Sequence, residues 1–231
     1  MWEQVFNIVV AMIMCNAAFG IFFIFLHRSG VNYIDHFLWT ASYFLFIAII
    51  TSLLFWSYIV TALHGFTATP FIVLWIFMLA QVILYIHLPR YLREPKEYFE
   101  KYPDRYYLKI DWKRLISKSM DIVAQQVFIV LLVTFLKDAG LSLPEIIFSF
   151  TFLFALLHIP LIASEWGAWP SWLFGGIVIV FSIIFPILIL KVQYGFIYNI
   201  IIHWLFYTVT AVIFWIWSAK QTNSTHYPRI F

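Results

Sequence analysis

Residues 119–136 read SMDIVAQQVFIVLLVTFL. After Gln126 every residue but Thr134 is apolar. A run of this kind reads as a membrane-crossing helix, which needs about 20 residues to traverse the hydrocarbon. Its first half nevertheless holds Asp121, Gln125 and Gln126. Ionisable and strongly polar side chains are expensive inside a bilayer, so such a cluster marks a functional site by default. Asp121 and Gln125 stand four apart and share a helix face.

The rest of the chain agrees with a membrane setting. Of its 231 residues 64% are hydrophobic and 11% charged. A soluble domain is roughly half apolar and a quarter charged, so no soluble core buries this excess. The 26 Phe and 11 Trp suit lipid-facing surface and interfacial anchors. The one cysteine, Cys15, forms no internal disulfide. The chain begins Met1-Trp2-Glu3-Gln4, with no basic residue ahead of the first apolar run, and this reads as a retained helix rather than a cleaved leader. The net charge of +3 gives no footprint for a nucleic-acid partner, and nothing calls for a cofactor.

The expected fold is all-α: a polytopic transmembrane bundle of about seven spanning helices. The spans fall at 5–26, 37–63, 70–89, 119–136, 143–163, 171–190 and 195–217. The second is long enough to tilt or to hold a short surface turn. Pro70 and Pro89 bound the third, where proline costs least, while Pro160 and Pro186 predict bends late in the fifth and sixth. Four regions follow: helices 1–3 over 1–89, a basic loop over 90–118, a core of helices 4–7 over 119–217, and a tail over 218–231.

The loop 90–118 holds nine of the fourteen Lys and Arg residues and five acids, a net of +4. Placing it in the cytoplasm puts twelve basic residues there and leaves only Lys137 and Lys191 outside. That asymmetry predicts an outside N-terminus and a cytoplasmic C-terminus, with the sequon at Asn223 on the unglycosylated side. The alternation of Tyr106, Leu108, Ile110 and Trp112 with charged residues predicts an extended segment on the headgroups. It serves as an interfacial anchor, or as a docking surface for an acidic partner or anionic lipid.

Further polar residues lie within the spans. The fifth carries His158; the seventh carries Asn199, His203 and Tyr207, spaced by four on one face. Asn16 and Gln81 read as structural hydrogen bonds between helices, and His87 as an interfacial histidine. His158 and His203 lie deeper, where the polar cluster of the fourth span can meet them.

These residues resemble the motifs of the CPBP family of CAAX prenyl proteases and bacteriocin-processing enzymes. Phe154-Ala155-Leu156-Leu157-His158 resembles its FxxxH motif. Gly195 through His203 resembles its last motif, a histidine on an apolar helix with Asn or Asp four residues later. Gly175-Gly176 resembles the small-residue helix between them. The preceding motif, EExxxR, is met by Gln125-Gln126-Val127-Phe128-Ile129-Val130. The likeness covers about 119–210, in the family's order. It implies an intramembrane endopeptidase in which the first glutamate activates water, the FxxxH histidine assists, and the last histidine with its Asn or Asp stabilises the oxyanion.

Here Gln125 and Gln126 stand for both glutamates, Val130 for the arginine and Tyr207 for the Asn or Asp. An amide has no useful basicity. The expectation is therefore a proteolytically inactive relative. It keeps Gln125, Gln126, His158 and His203 as motif positions and Phe154, Asn199 and Tyr207 as binding residues. Its ligand in the former substrate cavity is a membrane peptide, a prenylated peptide or a partner membrane protein. It sits in the lipid bilayer of a prokaryotic plasma (inner) membrane. Two alternatives stay open. Asp121 can replace the missing base, with His158 and His203, and Glu165 is a weaker substitute. Otherwise Asp121, His158 and His203 form a transport or proton path. Zinc held by the two histidines and Asp121 is a lesser reading, without a spacing motif to support it.

Overall fold

A computed structural model of the chain describes residues 2–26, 28–63, 67–101, 108–164 and 169–222, with side-chain surroundings given except for 101, 159–175 and 219–222. Pro160, Glu165, Gly175, the sequon at 223–225, Lys220 and Arg229 lie outside that side-chain description. So do the first residues of the alternating segment.

Every described element is helical: α1 (Trp2–Gly20), α2 (Phe37–Leu54), α3 (Trp56–Ala62), α4 (Ala68–His87), α5 (Lys96–Lys101), α6 (Trp112–Asp138), α7 (Leu143–Ser164), α8 (Trp169–Lys191) and α9 (Gly195–Thr222). A π-helical stretch, Ile21–Leu26, extends α1. Five helical stretches are long and apolar enough to cross a membrane: 2–26, 37–54, 68–90, 112–138 and 195–218. Two shorter apolar stretches, 143–158 and 176–191, lie in α7 and α8. Large apolar side chains cover the outside, among them Trp39, Trp75 and Phe148. A lipid bilayer is the environment this surface fits.

Of the two forms expected for the second span the structure shows a turn, and one expectation is corrected. The second span divides at Phe55, whose φ of −115° and ψ of 36° end α2 and start α3. The fourth helix begins seven residues before 119, at Trp112, with Asp111 as its N-cap; the Asp111 carboxylate accepts from the Lys113 N–H at 2.7 Å. The period-two pattern therefore stops short of Trp112, and 112–118 is helix rather than extended loop. Arg114 and Lys118, counted with the basic loop, are buried inside the bundle.

α6 is the partition of the molecule. One face carries Ala124, Val127, Leu131 and Phe135 into a core shared with α1, α2 and α3. Another carries Ile122, Ile129, Leu132 and Leu136 into a core shared with α4, α7, α8 and α9. Each set steps by three, four or seven residues, the spacing that keeps side chains on one helix face. Buried residues make up 78% of the apolar window of α6, against 11% of that in α4. One helix is thus wrapped by protein and the other is turned to lipid.

The end of α6 is closed by a glycine in the left-handed region. Gly140 has φ of 87°. Its N–H donates to the Lys137 carbonyl at 2.9 Å, and that of Leu141 to the Leu136 carbonyl at 3.4 Å. This pair of reversed bonds satisfies carbonyls that the helix leaves open. α7 then starts at Leu143, just after Ser142, whose N–H and hydroxyl both donate to Glu145, at 2.7 and 2.6 Å.

The turn from α8 to α9 is tight. Tyr194 has φ of 63°, and a Cβ on Gly195 would lie 1.8 Å from the Leu188 carbonyl oxygen. Only glycine lets the two backbones approach this closely.

Candidate functional site

The two polar faces of α6 are built differently. On the α1–α2 side Asp121 is 1% exposed and is the hub. Lys118, one turn earlier on the same helix, ion-pairs with Asp121 Oδ2 at 2.5 Å. The Tyr33 hydroxyl donates to that oxygen at 2.8 Å, and Gln125 Nε2 donates to Oδ1 at 2.7 Å. Ser117 donates to the Tyr33 carbonyl at 2.7 Å and ties the α1–α2 connection to the same spot. Both carboxylate oxygens are engaged, and the charge has its counter-ion. This is how a buried charge is tolerated.

On the α9 side Gln126 is fully buried, and its Nε2 lies 3.0 Å from His203 Nδ1. Successive helix residues are turned by about 100°, so Gln125 and Gln126 cannot share a face. Gln126 Oε1 has no hydrogen-bond partner. Whichever way the amide is turned, one of its two polar atoms is left over. Asn199, one turn before His203, is also fully buried. Its Nδ2 donates a long bond of 3.4 Å to the Phe185 carbonyl, and its Oδ1 has no partner. Trp204 Nε1, beside them in sequence, is buried without a partner as well.

Aromatic rings connect this pair to His158. The Phe154 ring lies 4.4 Å from the His158 ring and 6.1 Å from Phe185, and Phe185 lies 5.6 Å from His203. His158 is half-buried, and its Nδ1–H donates to the Phe154 carbonyl at 2.7 Å. Tyr207 stacks on His203 at 5.5 Å and 17°. The Lys118 ammonium lies 4.3 Å from the Tyr207 ring centroid. Lys118 therefore reaches from the Asp121 cluster to the His203 cluster, linking the two faces.

The expected residues thus divide. Gln126, Phe154, His158, Asn199, His203 and Tyr207 gather between α6, α7, α8 and α9. Asp121 and Gln125 form a separate cluster on the other face of α6. The Gln81 carbonyl accepts from Thr208 at 2.7 Å and joins α4 to α9, while Asn16 donates within its own helix to Met12 at 2.9 Å. Among the described residues no group of three or more His, Cys, Asp or Glu side chains is arranged to hold a metal ion. Neither Lys118 nor Arg114 stands out in the sequence, because a basic residue beside a loop reads as solvated. The i,i+3 spacing of Lys118 to Asp121 is the signal that finds the first.

Amides and imidazoles in such a cluster donate and accept hydrogen bonds, while the Asp121 carboxylate is paired on the far face of α6. No protein-family model matches the chain, and no curated protein or solved structure matches it.

Proposed function

We propose that the chain is a seven-span integral membrane protein of a prokaryotic plasma membrane, a proteolytically inactive relative of the CPBP proteases. It binds a membrane peptide between α6, α7, α8 and α9 without hydrolysing it. The observation that carries the reading is the pair of leftover amide atoms on Gln126 and Asn199, buried beside His203. A buried polar atom without a partner costs about 1–3 kcal/mol. A peptide backbone offers both N–H and C=O groups and relieves that cost at each amide. The Phe154, Phe185 and Tyr207 rings supply an apolar wall for the flanking side chains or for a prenyl chain.

The absence of hydrolysis rests on the other face. Gln125 and Gln126 are not bases, and Asp121 is held by Lys118, Tyr33 and Gln125. General-base catalysis contributes about 10²–10⁴-fold, which amides at the glutamate positions do not supply. The same engagement of Asp121 argues against the transport reading, since a relay needs a carboxylate that exchanges its proton.

The test offers purified protein a set of prenylated CAAX-type peptides and transmembrane peptides, scored for binding and for cleavage. Binding without cleavage, weakened about tenfold or more in His203→Ala and Gln126→Ala, is expected. Cleavage lost in Asp121→Asn overturns the reading in favour of displaced catalysis. The orientation has its own check. In a Cys15→Ala background, cysteines at Lys101 and Gly140 are expected to label from opposite sides of the membrane.

A further inference from the structure

The amide of Asn16 is expected to join two helices, yet within the chain it joins none. Its Nδ2 donates to the Met12 carbonyl of its own helix at 2.9 Å. Among the described residues this is its one hydrogen bond, so Oδ1 and the second N–H are left open. Asn16 is exposed, and it stands well inside the apolar stretch 2–26. Among the described residues every other amide, imidazole or charged side chain so far inside a span is buried or half-buried, as Gln81 is beside Thr208. An amide open to hydrocarbon is costly, and a hydrogen bond across a helix pair removes the cost.

Asn16 belongs to a seam. Trp2, Phe6, Val9, Ile13, Asn16 and Gly20 follow one another by alternate steps of four and three, the heptad spacing of helices that pack along their length. The four that precede Asn16 are large, apolar and exposed. At about 100° per residue the seam lies about half a turn from Ala11 and Ala18, which are buried. Ala11 enters the core shared with α6. One face of α1 thus packs on its own bundle, and the opposite face carries the open amide. Gly20 adds bare backbone there, since a Cβ on it would meet nothing within 4 Å in the chain. Glycine at such a place lets a neighbouring helix come close.

We propose that α1 pairs with α1 of a second copy of this chain along this seam, with the two Asn16 amides bonded to each other across a two-fold axis. The chemistry favours a second copy over another partner. Copies of one chain enter the bilayer in one orientation, so two α1 helices meet in parallel and bring equal residues to equal depth. A residue that faces its own copy must both donate and accept. Asn does so through its N–H and Oδ1, whereas a lone Asp or Lys would meet its own charge. One Asn in an otherwise apolar seam also fixes the register, because sliding returns both amides to hydrocarbon. The seam is on the far side of α1 from α6, so the pairing stands or falls independently of the Gln126–His203 cluster.

The experiment counts photobleaching steps of the full chain, labelled once at its C-terminus, in phosphatidylcholine liposomes over a dilution series of protein to lipid. The parent is expected to form dimers that dissociate on dilution. Asn16→Leu and Gly20→Leu are each expected to weaken dimerisation about tenfold. The melting temperature of the monomer is not lowered in either, since Asn16 is exposed and a side chain at Gly20 meets open space. In a Cys15→Ala background, oxidation is expected to crosslink copies through Ile13→Cys and not through Ile76→Cys on the exposed face of α4. A parent that stays monomeric at every protein-to-lipid ratio overturns the proposal and leaves the seam to lipid or to another protein's helix. Dimers that are unweakened in both Leu variants, or that crosslink equally through Ile76→Cys, overturn it as well, because they assemble by another face.

Discussion

The two faces of α6 solve the same problem in opposite ways. Toward α1 and α2 the helix buries a full negative charge and completes it: Lys118, Tyr33 and Gln125 occupy the Asp121 oxygens. Toward His203 it buries the Gln126 amide and leaves it incomplete, as α9 does Asn199, with one amide atom of each unanswered. Between Asp121 and Gln126, the more expensive group is the better satisfied one. Completeness is what a structural joint needs, because an unpaired charge in hydrocarbon is intolerable. Incompleteness at modest cost is what a binding surface needs, because the ligand must have something to supply. The difference separates architecture from recognition on a single helix, with Lys118 and Tyr207 standing between them.

The comparison breaks most severely at Lys118. Lys118→Met strips the counter-ion from a carboxylate that is 1% exposed. The expected loss is about 3–5 kcal/mol, the usual cost of orphaning one member of a buried pair. Unfolding in mixed detergent micelles measures it. The double change Lys118→Met with Asp121→Leu is expected to recover most of the loss, because an apolar pair of similar volume replaces the ion pair at little net cost. A single variant as stable as the parent would mean that Asp121 carries no charge to be answered.

A smaller effect is expected at Gly195. Alanine there drives a Cβ into the Leu188 carbonyl, and backbone, unlike a flexible side-chain tip, has little freedom to yield. The two helices are expected to separate at a cost of about 1–3 kcal/mol. The damage should be confined to the α9 face. Peptide binding weakens along with thermal stability, while tyrosine accessibility at Tyr33 stays as it was. Equal disturbance on both sides would show that the partition is not a boundary.

The mildest change sharpens the contrast. Gln126→Leu removes an amide that already lacks one partner, and strands His203 Nδ1. Interhelical polar contacts in membranes contribute about 1–2 kcal/mol at most, and here the apolar replacement returns part of it. Stability by melting temperature is therefore expected to fall slightly, whereas peptide binding is expected to be lost. A large stability loss would move Gln126 from the recognition side of the comparison to the architectural one.

Much of this was legible in the residues. Apolar run length finds the spanning segments, since hydrocarbon thickness leaves few solutions, and α1, α4 and α9 start within about three residues of their expected limits. The polar residues of the bundle interior are legible too, because bilayer cost makes each conspicuous. Their grouping is less so. Gln125 and Gln126 are adjacent in sequence, and a motif read as a pair joins what the helical period separates. Arg114 and Lys118 are hidden by the same rule that orients the chain. Counting basic residues treats each as facing water, yet both have their charges inside protein. The length of the second run allows a turn, but the break at Phe55 carries no Gly or Pro, and no local signal fixes its position.

The partition by α6 also sets an order of construction. α1, α2 and α4 precede it along the chain and hold strongly apolar windows, with mean hydropathy of 2.5, 2.0 and 2.3. They can leave the insertion machinery for lipid as they emerge. α6, at 1.9 and with Arg114, Lys118 and Asp121 aboard, has the most to lose from waiting alone in hydrocarbon. Its first partners, Tyr33 and the α1–α2 core, are already made when it arrives, so the charged face is sealed at once. The other face stays open until α9, which follows α6, α7 and α8 along the chain, brings Asn199, His203 and Tyr207. During that interval the nascent protein holds half a core and an exposed polar seam.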